Sequence, residues 1–116
     1  MIQPQEIRIA NYIEYNGEII KLDGSFLCCY IQNELEFPLN PIPLTEEILL
    51  KFGFEIMNPN YLEYKLKDGR ILFDRKVEDL LLITGNNTYG KKIEFAHKLQ
   101  NYVFENTDGE EITFKN

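Results

Sequence analysis

The stretch Tyr61-Leu62-Glu63-Tyr64-Lys65-Leu66-Lys67-Asp68-Gly69-Arg70-Ile71-Leu72-Phe73 decides the fold class. Alternation across its first half sets Leu62, Tyr64 and Leu66 on one face, the period of a half-buried strand. Asp68-Gly69 is a tight-turn pair, so the chain returns through Arg70 to Phe73 as a second strand. Just upstream lies a different signal. Thr45 is an N-cap residue, and Glu46 and Glu47 place negative charge at the positive end of a helix dipole. Gly53 suits the left-handed position that ends a helix, with Phe54 folding back on Leu49. Leu44 and Leu49 occupy hydrophobic-staple positions. Thr45 to Phe52 is therefore a helix of about two turns, too short to persist alone. Ile48, Leu49 and Phe52 must dock on the sheet. A helix beside an antiparallel hairpin predicts α+β.

Upstream, Asn16-Gly17 separates Ile13-Glu14-Tyr15 from Glu18-Ile19-Ile20 and predicts a type I′ hairpin. Asp23-Gly24 reads as another turn, leading into Ser25 to Ile31 as a strand. The segment from Ile7 to Ile31 is thus expected to be an N-terminal antiparallel meander of three or four strands, with Glu34 to Phe37 a candidate for one more. Closely spaced turns suggest a curled sheet or small, partly open barrel. Pro38, Pro41 and Pro43 then interrupt regular structure. Downstream, Leu80-Leu81-Leu82-Ile83 is continuously apolar and predicts a strand covered on both faces, or a short buried helix. Gly85 to Gly90 reads as a polar loop and Lys92 to Phe95 as a strand. Ala96, Leu99, Tyr102 and Val103 keep a three-four spacing that predicts a longer C-terminal helix from Ala96 to Asn106, packed on the sheet. Asp108-Gly109 breaks it, and Glu111 to Phe114 is the last candidate strand. No repeat or linker interrupts the 116 residues, so one compact domain over 1–116 is expected.

Composition narrows the function. Hydrophobic residues make up 44% and aromatics 13%, enough for an ordinary core, while the formal net charge is −7. A bulk acidic surface repels phosphate and suits a basic partner. The charge is uneven. Glu105, Asp108, Glu110 and Glu111 follow one another without a base, and Glu34 and Glu36 form a second acidic group. These six are the expected partner-binding residues. Tyr61, Lys65, Lys67, Arg70, Arg75 and Lys76 interleave aromatics with cations, the alternative nucleic-acid-binding set, since rings stack on bases and cations follow the backbone. The same lysines also serve to protect a sheet edge.

Signatures of catalysis are sparse. His97 is the sole histidine, and a general base needs a nucleophile or an orienting carboxylate that nothing in the sequence supplies. It reads as a helix residue that packs locally. One His and two adjacent cysteines cannot supply a structural zinc set. No cofactor or metal is expected. Cys28 and Cys29, on opposite faces of the expected strand, read as reduced, with one of them buried. The first residues carry neither a basic start nor an apolar run, and no stretch approaches the ~20 apolar residues of a membrane helix. The expectation is a non-enzymatic, cytoplasmic protein away from the membrane, and the sequon Asn86-Asn87-Thr88 is then only polar loop.

Three segments carry a resemblance: Ile7-Arg8-Ile9-Ala10-Asn11-Tyr12 with the Asn16-Gly17 hairpin; Pro41-Ile42-Pro43-Leu44-Thr45-Glu46-Glu47-Ile48-Leu49-Leu50-Lys51-Phe52-Gly53-Phe54; and His97-Lys98-Leu99-Gln100-Asn101-Tyr102 with the ending Thr107 to Glu111. Together they resemble a group of small uncharacterised proteins encoded by Bacteroidetes bacteria and their phages. Two departures stand out: Ala10 replaces an expected Gly, and Asp108 separates Thr107 from Gly109. The resemblance implies a bacterial cytoplasm and a phage or prophage setting. Small acidic phage proteins commonly occupy a host protein. What it implies here is an inhibitor of a basic host effector, of the anti-CRISPR kind, acting on an RNA-guided nuclease or its guide-RNA complex. A nucleic-acid-binding accessory protein using residues 61–76, or a phage structural or assembly component, are the alternatives.

Overall fold

The computed structural model describes residues 2, 4–85 and 87–115. After a single 3-10 turn at Pro4–Glu6, the elements run β1 (Tyr12–Tyr15), β2 (Glu18–Lys21), α1 (Gly24–Ile31), β3 (Leu39–Asn40), α2 (Glu46–Phe52), β4 (Glu55–Asn58), β5 (Tyr61–Leu66), β6 (Gly69–Asp74), β7 (Asp79–Thr84), β8 (Asn87–Lys91) and α3 (Ala96–Asn106). The fold is α+β. The chain divides into two compact units, Met1–Leu44 with Glu94–Thr113, and Thr45–Ile93 with Phe114–Asn116.

The first unit carries a three-stranded antiparallel sheet in the order β2-β1-β3. Asn16 and Gly17 both take positive φ, 51° and 82°, as the type I′ hairpin requires. Ile13, Leu22 and Leu39 are buried with Ile2 and Ile7, and Phe26, Leu27 and Tyr30 of α1 pack against them. The N-terminal stretch is therefore not a strand meander closing toward a barrel: 24–31 is a helix, residues 34–37 lie outside any strand, and neither sheet closes. The reason is local. The Asp23 side chain accepts a hydrogen bond from Phe26 N at 2.8 Å, so Asp23-Gly24 is a helix start rather than a hairpin turn. With the two cysteines on a helix, the expectation that one would be buried also fails: Cys28 is exposed and Cys29 half-buried, both as free thiols.

A buried polar network holds α3 to this unit. Gln100 is fully buried; its Nε2 donates to Ala10 O (3.0 Å) and Ile112 O (3.1 Å), and its Oε1 accepts from Tyr12 N at 2.8 Å. Asn11, also fully buried, accepts from Arg8 N and donates to Asn101 Oδ1, and Asn101 donates to Glu6 O. Glu6 O, Arg8 N, Ala10 O, Tyr12 N and Ile112 O thus find side-chain partners. Glu111 to Phe114, read as a strand, forms none, and Ile112 O accepts from the Gln100 side chain. The turn Arg8–Asn11 closes with Asn11 N donating to Arg8 O, and Ala10 sits at its third position with φ 82°, the place a type II turn reserves for Gly.

The second unit is a five-stranded antiparallel sheet in chain order, β4-β5-β6-β7-β8, with α2. Thr45 caps α2 by accepting from Ile48 N. Gly53, at φ 102°, donates to Leu50 O and Phe54 N to Leu49 O, the paired bonds of a Schellman end. Ile48, Leu49 and Phe52 are buried as expected. Leu62 and Leu66 of β5, Ile71 and Phe73 of β6, and Leu80 and Leu82 of β7 form the apolar face, while Leu81 and Ile83 are half-exposed. β7 therefore alternates instead of being covered on both sides. β8 replaces the expected loop at 85–90, β4 was unforeseen, and residues 92–94 are irregular, with Phe95 in an isolated bridge to Pro43. Asn86 of the sequon lies outside the described residues.

Candidate interaction surface

The charge separates by unit. The first unit holds 11 acidic and 3 basic residues, net −8; the second holds 8 acidic and 9 basic, net +1. All six residues expected to bind a basic partner fall in the first. Its three cations are each engaged. Arg8 Nη1 pairs with Glu111 Oε1, Nη2 donates to Gln100 O, and the guanidinium lies 4.1 Å from the centre of the Phe104 ring. Lys98 pairs with Glu6 at 3.3 Å, and Lys21 lies over the Tyr12 ring.

Glu105 is exposed in the last turn of α3, and that turn carries no basic residue. A carboxylate there faces the negative end of the helix dipole, so the helix gains nothing from it. Asp108 is exposed in the turn that follows, which is held by Thr107 Oγ1 donating to Val103 O and accepting from Glu110 N. Glu110 is half-buried and Glu111 is tied to Arg8. Of this group, Glu105 and Asp108 present carboxylates outward. Glu34 and Glu36 are both exposed directly after α1, with Glu34 N bonded to Cys29 O.

The basic set lies in the second unit, and the register sets Lys65 opposite Arg70 and Tyr61 opposite Asp74. Arg70 is paired with Glu63 at 3.0 Å and Arg75 with Glu46 at 3.0 Å. Lys65, Lys67 and Lys76 are exposed, and Tyr61 is half-buried at the start of β5. Lys65 also borders an open depression of about 200 Å³ with Glu55, Glu63, Tyr64 and Lys115. Both charge signs line it, which suits no single ionic ligand.

His97 lies in the first turn of α3 and is only 1% exposed; neither ring nitrogen has a hydrogen-bond partner among the described residues. Burial holds its pKa down at about 4, opposed by Glu6 and assisted by Lys98. The ring stacks beside Phe95 and is shut from solvent. Among the described residues no group of three or more His, Cys, Asp or Glu is placed to hold a metal, and no helix is long and apolar enough to cross a membrane.

Sequence reasoning missed α1. Its eight residues, Gly24-Ser25-Phe26-Leu27-Cys28-Cys29-Tyr30-Ile31, contain no charge, and none is buried. No family model, curated protein or solved structure matches the chain.

Proposed function

We propose that the chain works by binding rather than by catalysis, its acidic unit docking on a basic surface of a bacterial protein or protein–RNA assembly and blocking it. The observation that carries this reading is the charge division, net −8 on one unit with every cation of that unit already engaged. An electronegative body of this kind is steered toward a cationic groove and competes there with nucleic acid. The resemblance to bacterial and phage proteins narrows the target class to a host defence effector in the cytoplasm, an RNA-guided nuclease whose guide and target channel is basic. The reading of residues 61–76 as a nucleic-acid grip has less support, because Arg70 and Arg75 are committed to Glu63 and Glu46.

The test is target-DNA cleavage by guide-loaded nucleases from related bacteria after preincubation with the chain. Inhibition by the wild type, restored to cleavage by joint reversal of Glu34, Glu36, Glu105 and Asp108 to Lys, supports the proposal. A chain that leaves every nuclease in the panel active, or a reversal variant that inhibits as well as the wild type, refutes it.

A further inference from the structure

A helix with no charged residue on any face is at home in a core or against a partner. α1 has no charged residue, yet none of its residues is buried. Phe26, Leu27 and Tyr30 turn toward the core of the first unit and are only partly buried there. The opposite face carries Gly24, Ser25, Cys28 and Ile31, all exposed, and Ile31 is 61% exposed. Ile9 extends this face: its Cδ1 lies 3.7 Å from the position a Cβ would take on Gly24, and it is 55% exposed. On a surface helix these places ordinarily carry charge. The charges are instead at the two ends. Asp23 caps the N-terminus, and Glu34 and Glu36 follow the C-terminus, with no base among 22–44. The result is an uncharged ridge about 12 Å long, with Ile9 and Ile31 as its exposed apolar side chains and carboxylates at its ends, the arrangement of an interface centre and its rim.

We propose that this ridge is the docking surface for a cationic amphipathic segment of the protein partner, whose apolar side covers Ile9, Cys28 and Ile31 while its Lys or Arg side chains meet Asp23, Glu34 and Glu36. The inference rests on the acidic-binding reading above and gives it a location. Charge complementarity selects the occupant. A second copy would bring a unit of net −8 against another of the same charge, and an anionic membrane would be repelled likewise.

A four-turn Leu/Lys amphipathic peptide carrying one Trp is a direct probe, since the chain has no Trp of its own. A Leu/Glu peptide of the same length is its control. In a C29S background, Cys28 is the sole thiol and reports cover by its rate of alkylation. The expected result is binding of the Leu/Lys peptide alone, with Cys28 protected, and a loss of about tenfold in affinity for either I31K or E34K/E36K. Both variants alter exposed side chains, and circular dichroism verifies that each is folded. Binding that leaves Cys28 reactive and is weakened only by E105K/D108K overturns this surface while leaving the acidic-binding reading in place. Binding of neither peptide overturns it too, and the cleavage assay then judges the parent reading separately. A dimer by light scattering that I31K abolishes, or uptake by anionic vesicles, assigns the ridge to another occupant and overturns the proposal.

Discussion

Replacing Ala10 with Gly should stabilise the protein, against the usual direction of random substitutions. Ala10 occupies the third position of the Arg8–Asn11 turn at φ 82°, where its Cβ crowds the backbone. An L-residue in this region costs roughly 1–2 kcal/mol. Gly removes that cost and gives back about 0.5–1 kcal/mol through its looser unfolded chain. The difference is a net gain of about 0.5–1 kcal/mol, a rise of a few degrees in Tm for a chain of this length. The turn is well anchored, since Ala10 N donates to Leu22 O and Ala10 O accepts from Gln100, so the substituted turn has little room to relax elsewhere. Differential scanning calorimetry or urea titration at neutral pH measures it. An Ala10→Gly variant less stable than the wild type by about 0.5 kcal/mol or more would refute the assignment of strain to this turn.

Three further substitutions probe the two units. His97→Leu should flatten the acid limb of the stability curve. The folded pKa near 4 lies below the unfolded value of 6.5, so the unfolded chain takes up a proton first and the wild type loses stability as pH falls from 6.5 toward 4, by about 3 kcal/mol in all; parallel wild-type and variant curves over that range would contradict it. Gln100→Leu should cost about 3–5 kcal/mol, because Tyr12 N, Ala10 O and Ile112 O lose their partner together; a urea midpoint close to wild type would mean the network is dispensable. Gly69→Ala should cost about 2–3 kcal/mol, since its Cβ would lie 2.1 Å from the backbone oxygen of Ile83, which cannot swing aside; an unchanged Tm would show that β6 and β7 tolerate the shift.

What could be read from sequence was what local chemistry dictates. α2 is bounded by Thr45 and Gly53, whose capping bonds are made within one turn, and the Asn16-Gly17 hairpin and β5–β6 rest on turn residues with matching alternation. α1 was misread because Phe26 to Ile31 has no charged residue to give the apolar pattern a phase, so neither helical nor strand periodicity was visible. The polar composition of 85–90 reads as a loop; the order of β8 comes from pairing with β7, a tertiary effect that overrides propensity. At the candidate surface, the acidic residues were legible as charges. Their availability was not: Glu111 is engaged by Arg8, 103 positions away. Gln100 and Asn101, singled out only by resemblance, prove to be the hub that holds the first unit together.

The most direct test is zero-length carbodiimide coupling of the tagged chain in the cells that carry it, with the linked residues mapped by mass spectrometry. Carbodiimide joins carboxylates on one protein to lysines on another, so it reads both partner and surface. The expected product is a strongly basic protein joined through Glu34, Glu36, Glu105 and Asp108. Coupling confined to Lys65, Lys67 and Lys76 of the second unit, or to an acidic partner, would contradict it.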